Sequence, residues 1–106
     1  MARSMAEKWQ RFGAQLESGR GRLPVEVRRE IRRRTADSTV GEGIPPELAA
    51  FVDLVAERSY RVTEATVTGL TAAGHSDDEI FEAAAVAAYG AADRRLRAAR
   101  RAWGGR

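Results

Sequence analysis

A chain of 106 residues is long enough for one domain with a modest core, and 43% apolar with 31% charged residues is an ordinary globular composition. It has no cysteine, which excludes disulfides, thiolate metal sites and thiol redox chemistry, and its single histidine, His75, argues against a histidine-built zinc site. The net charge is only +3, but it is segregated: residues 1–44 carry a net +4, residues 45–93 a net −7, and residues 94–106 six basic groups and no acid. Basic ends and an acidic middle complement one another within a chain or between subunits. The polar N-terminus is unlike a signal peptide, and no apolar run approaches the roughly 20 residues needed to span a bilayer. A cytoplasmic protein is the expectation.

In chain order, Met5 to Leu16 places Trp9, Phe12 and Leu16 at spacings of three and four, an amphipathic helix that Gly13 is expected to interrupt. A glycine-rich loop, Ser18 to Arg22, follows. Chain ends fray, so residues 1–22 are expected to be a loosely held helix and loop. Pro24 suits the first position of a second helix, where its missing N–H has no partner. Val25, Val27 and Ile31 are the apolar residues of that helix. Glu26 and Glu30 lie toward its positive end and Arg32, Arg33 and Arg34 toward its negative end. It is expected to stop near Ala36, before a polar linker from Asp37 to Gly43.

Pro45–Pro46 opens a third helix, in which Leu48, Phe51, Val52 and Val55 form one stripe running on toward Arg58–Tyr60. Thr63 can cap a fourth helix, with Glu64 in its first turn and Val67 and Leu70 on its core side. Gly74 ends it in the left-handed conformation that glycine adopts cheaply. Ser76 and Glu79 then make a capping box, reinforced by Asp77 and Asp78. The fifth helix is expected from about Asp77 to Arg101, roughly 37 Å long. Its expected core face is Ile80, Phe81, Ala84, Ala88, Ala92, Leu96 and Ala99. Gly90 costs such a helix about 1 kcal/mol relative to alanine. It marks either the close approach of another helix, from this chain or another subunit, or only a run of small helix-forming residues.

The expected fold is therefore all-α, with about five helices, no strand and a single domain over residues 1–106. Large apolar side chains are few, so a monomer would bury little and a homo-oligomer is expected.

Three stretches carry a resemblance: P-P-E-L-A-A-F-V-D-L-V-A at 45–56, R-S-Y-R-V-T at 58–63 and A-G-H-S-D-D-E-I-F-E-A at 73–83. In order and spacing they resemble the carboxymuconolactone decarboxylase and alkylhydroperoxidase D superfamily. The likeness covers residues 44–103, extends loosely over 23–43, and is closer to a branch of small bacterial proteins with an A-Y-R-V-T-like segment. It implies an alkylhydroperoxidase D-like helical array that forms trimers or hexamers. Peroxidase members carry C-x-x-C-x-x-x-H ahead of the A-G turn. Counting back from Gly74, those positions are Ser59, Val62 and Thr66; one register on, they are Tyr60, Thr63 and Val67. Neither register restores a cysteine or the histidine, so thiol peroxidase activity is excluded.

The decarboxylase side of the resemblance needs no thiol, only a cation for a carboxylate and a general acid or base. The candidates are Glu57, Arg58, Tyr60, Arg61 and His75, each with a plainer reading. Glu57 and Arg61, four apart, read as a helix-surface pair. Tyr60 reads as a core or interface aromatic, and His75 as an exposed turn residue. Glu82, expected to face the same region, reads as a solvated helix position. No cofactor and no metal are expected. The arginines of 28–34 and 94–101 raise nucleic-acid binding, but interleaved acids and the absence of a recognised motif make it a weak reading. Membrane binding is weaker still. The leading expectation is an oligomeric scaffold or partner-binding subunit, with a homo-oligomer or a heterologous protein as partner. The alternatives are a cofactor-free enzyme for a small carboxylated or lactone substrate, and a nonspecific nucleic-acid binder.

Overall fold

A computed structural model describes residues 2–38 and 41–104. Five α-helices run in sequence: α1 Ala2–Ser18, α2 Val25–Asp37, α3 Pro46–Arg58, α4 Glu64–Ala72 and α5 Asp77–Gly104. A single 3-10 turn, Ser59–Arg61, follows α3, and no strand is present among the described residues. Positions 39 and 40 of the expected linker lie outside the described residues. At 28 residues α5 is about 42 Å long, most of the 49 Å long dimension of the molecule. It is the spine: α2 and α3 lie along it, and α1 and α4 touch it more briefly.

Local chemistry sets most boundaries. Pro46 occupies the first turn of α3, where no N–H is missed. The Thr63 hydroxyl accepts from the Thr66 N–H at 3.4 Å, and Thr66 Oγ1 accepts from the Thr63 N–H at 3.2 Å, closing a capping box on α4. Gly74, at φ 103°, turns the chain after α4. Ser76 Oγ accepts from the Glu79 N–H at 3.1 Å while Glu79 Oε1 accepts from the Ser76 N–H at 2.9 Å, so α5 starts where its capping box places it.

Some features differ from expectation, beginning with α1, which runs from Ala2 to Ser18, past the expected Met5–Leu16. Pro24 is the residue before α2, not its first residue; its extended ψ of 146° delivers the chain into the helix. Gly13 does not interrupt α1, because the helix packs there against the Tyr89 ring and a Cβ would overlap that ring. α5 continues to Gly104, three residues past Arg101.

The core joins Leu23, Ile31, Ile44, Leu48, Phe51, Val52, Leu70, Ile80 and Val86 with Ala83 and Ala87. Ile31, Leu48, Val52 and Val86 are fully buried, each worth about 1.5–3 kcal/mol of burial. The α5 face in this core is only partly the one expected: Ile80 is buried and Ala84 packs on the core, but the rest of the buried face is rotated from it. Ile80, Ala83, Val86, Ala87, Gly90 and Ala91 are buried, whereas Phe81 is 72% exposed and Ala88 and Ala92 face outward. The two faces differ by one residue, or 100° of rotation, and alanine on both sides hides the distinction from periodicity. The helix that approaches Gly90 is α2 of the same chain. A Cβ on Gly90 would overlap the Thr35 hydroxyl and lie 3.2 Å from the Ala36 nitrogen.

Arginine holds the helices to one another. Arg34 makes a bidentate pair with Asp53, Nε to Oδ1 and Nη2 to Oδ2 both at 2.7 Å, joining α2 to α3. The Asp53 hydrogen bond, first, and its charge raise the Arg34 pKa. Arg28, only 4% exposed, donates Nε to the Leu23 carbonyl and Nη1 to the Leu16 carbonyl, both at 3.1 Å. Leu16 lies in the last turn of α1, where carbonyls have no helical partner.

Candidate functional site

The positions that correspond to the redox motif fall on one short corner. Ser59 is exposed on the 3-10 turn, and its carbonyl accepts the Val62 N–H at 3.1 Å. Val62 is half-buried and packs on the core. The Thr66 hydroxyl is engaged in the α4 capping box. Beside this corner, α3 and α4 enclose a groove of about 200 Å³. Ala50, Phe51, Leu54, Gly69 and Leu70 make it apolar, with Glu47 and Thr66 as its polar members.

Glu47 has a partner that sequence spacing does not reveal. His75 Nε2 lies 2.9 Å from Glu47 Oε1, and His75 Nδ1 lies 3.8 Å from Glu79 Oε1. The imidazole is therefore not an exposed turn residue: its side chain is 13% exposed and sits between two carboxylates. The His75 hydrogen bond, first, and then Glu47's own backbone hydrogen bond hold the Glu47 carboxyl below the usual range. A carboxylate–imidazole pair beside a groove can move a proton, but here each partner is committed to the other.

The remaining candidates lie elsewhere. Glu57 does not pair with Arg61; its Oε1 accepts from Arg94 Nη2 at 2.7 Å, while Arg95 donates to the Ala56 carbonyl at 2.9 Å. The pull of α5 wins because it offers a fixed, half-buried guanidinium, whereas Arg61 follows the break into the 3-10 turn. Arg58 and Arg61 are exposed. Tyr60 is 82% exposed and contributes nothing to the core. Glu47 and Glu57 are separated by ten residues of α3, about 15 Å along the helix. His75 thus stands at one end of α3 and Glu57, Tyr60 and Arg61 at the other. Glu82 is not a free surface position: it is half-buried, its carboxylate accepts the N–H groups of Arg22 and Leu23, each at 2.9 Å, and it fixes the loop between α1 and α2.

A second concavity was not anticipated. A slot of about 300 Å³ runs between α1 and α5, with Arg32 of α2 at its edge. Trp9 Nε1 donates to Asp93 Oδ1 at 2.7 Å, and the Tyr89 hydroxyl donates to the Trp9 carbonyl at 3.1 Å. The Trp9 and Tyr89 ring centroids are 4.6 Å apart, with Phe12 edge-on to Tyr89 at 5.8 Å. Burial, and secondarily the Asp93 charge, push the Tyr89 phenol up. Helical spacing puts Ala6, Gln10, Gly13 and Glu17 on one face of α1 and Tyr89, Asp93, Arg97 and Arg100 on one face of α5, but nothing local encodes that the two faces meet.

Among the described residues no group of three or more histidine, aspartate or glutamate side chains is placed to hold a metal, and no helix is long and apolar enough to cross a membrane. Comparison of the chain with protein-family models, with curated proteins and with solved structures finds no match.

Proposed function

We propose that this chain is a non-redox protein of the alkylhydroperoxidase D-like type, acting as an oligomeric scaffold or partner-binding subunit. The observation that carries this reading is the second apolar face of α5. Phe81, Ala85, Ala88, Ala92, Leu96, Ala99 and Trp103 follow one another at spacings of three and four along the helix. Phe81, Ala88, Ala92 and Trp103 are exposed and the others only half-buried. An apolar stripe along a 28-residue helix, with small residues at its centre, suits another helix laid closely against it. A copy of this chain supplies one, and a trimer or hexamer is the assembly that the resemblance implies; a heterologous helix would fit the same face.

The competing readings have less support. A decarboxylase-type enzyme for a small carboxylated or lactone substrate would need Glu57, Tyr60, Arg61 and His75 to converge, and within one chain they lie at opposite ends of α3. Nucleic-acid binding needs available arginines. In α2, Arg28 is buried, Arg29 and Arg32 pair with Glu17, Arg33 with Glu30 and Arg34 with Asp53. With no cysteine, this chain brings no thiol to a peroxide.

Size-exclusion chromatography with light scattering tests the proposal. Wild type is expected to elute as an oligomer, and Ala88→Arg and Ala92→Arg as monomers with unchanged helical circular dichroism. A wild type that is monomeric and co-purifies with no partner would overturn the reading.

A further inference from the structure

We propose that the slot between α1 and α5 is a binding site for a small planar aromatic monocarboxylate. Its shape comes from small residues: Ala6 and Ala14 on the α1 wall leave space that bulkier side chains would fill, while Gly13 lets the Tyr89 ring close against α1. The volume of about 300 Å³ equals roughly ten water volumes, which matches a single-ring acid.

The charges fix the sign of the ligand. Five ionisable acid and guanidinium groups line the slot: Glu17, Asp93, Arg32, Arg97 and Arg100. Both carboxylates are already answered. Asp93 accepts from Trp9 and pairs with Arg97 at 3.3 Å, and Glu17 pairs with Arg32 at 3.4 Å and with Arg29 from outside the slot. Arg97 is further held by the Ala36 carbonyl and by Asp37. Arg100 lines the same slot with no hydrogen-bond or ion-pair partner among the described residues. One uncompensated guanidinium suits one carboxylate, which it can grip through two parallel hydrogen bonds.

The rest of the slot selects what the carboxylate is attached to. Trp9 and Tyr89 contribute aromatic surface with a hydrogen-bonded frame behind it, so neither ring has to reorder on binding. Gln10 lines the slot from α1 and offers an amide for one ring substituent. A dianion such as phosphate would meet two carboxylates with only one free cation to offset them.

Tryptophan fluorescence reads the site directly in a Trp103→Phe background, which leaves Trp9 as the remaining tryptophan. Benzoate is the probe, with acetate, benzyl alcohol and inorganic phosphate as comparators and calorimetry as the second measurement. Benzoate is expected to give a saturable change, with acetate and benzyl alcohol at least about tenfold weaker and Arg100→Gln weakening benzoate by about tenfold or more. Arg100→Lys should retain part of the binding. The proposal is overturned if benzoate gives no saturable change, if Arg100→Gln binds it as well as wild type, or if phosphate binds equally tightly. Because the readout is ligand binding at α1, it is independent of whether the outer face of α5 assembles.

Discussion

His75 Nε2 approaches Glu47 Oε1 to 2.9 Å, joining the turn ahead of α5 to the first turn of α3 across 28 positions of sequence. The contact keeps the Glu47 carboxyl below its ordinary pKa of 4.5, through the His75 hydrogen bond first. A carboxyl whose folded-state pKa is depressed stabilises the fold above its unfolded value, and that contribution is lost as pH falls through the folded value. Glu47→Gln is therefore expected to lower the Tm at pH 6, with the difference from wild type closing toward pH 3. A difference independent of pH between 6 and 3 would show that the ionised carboxylate does not matter.

Gly90 is expected to reverse the usual effect of replacing a helical glycine. Alanine would gain about 1 kcal/mol of helix propensity, yet its Cβ would overlap the Thr35 hydroxyl and lie 3.1 Å from the Thr35 Cβ. Overpacking of this kind costs about 1–3 kcal/mol, so Gly90→Ala should be net destabilising in urea unfolding. In a Thr35→Ala background the hydroxyl is gone and the penalty should shrink by at least half, a coupling that a double-mutant cycle measures. A stabilised Gly90→Ala would mean that α2 shifts aside freely.

Arg28 is buried against two carbonyls and no carboxylate. Replacing it by alanine strands both acceptors and removes the packed stem, an expected loss of about 2–4 kcal/mol. Arg28→Met retains much of the stem and should lose less. A change below about 0.5 kcal/mol in Arg28→Ala, the range of ordinary surface substitutions, would indicate that water takes over the guanidinium's role.

Features determined within a few residues were legible in sequence. Ser76 with Glu79, Pro46, Thr63 and Gly74 each act on backbone groups within one helical turn, so their chemistry can be read without knowing what surrounds them. The burial of Leu48, Phe51 and Val52 was equally plain, because their helical spacing puts them on one stripe of α3. α5 was harder because it has two apolar faces, and the sequence pattern favoured the outer one. The candidate site was legible only as positions. His75 finds Glu47, Glu57 finds Arg94, and Trp9 finds Asp93 across 28, 37 and 84 residues. Such partners follow from how helices are placed, which no local spacing encodes. Tyr60 shows the same limit in reverse: an aromatic invites a buried reading, but the 3-10 turn carries it into solvent.

The Glu82 carboxylate gathers two amides that lie 59 and 60 residues before it. The corner between α1 and α2 therefore has no complete local description: its backbone is satisfied by a side chain from the spine. Those amides find their acceptor only when the first two turns of α5 are in place, so the corner closes only after the chain through Glu82 is available. Order in the N-terminal third is in this sense borrowed from the C-terminal third, and the loop-closure entropy of that long reach is part of what docking α1 must overcome.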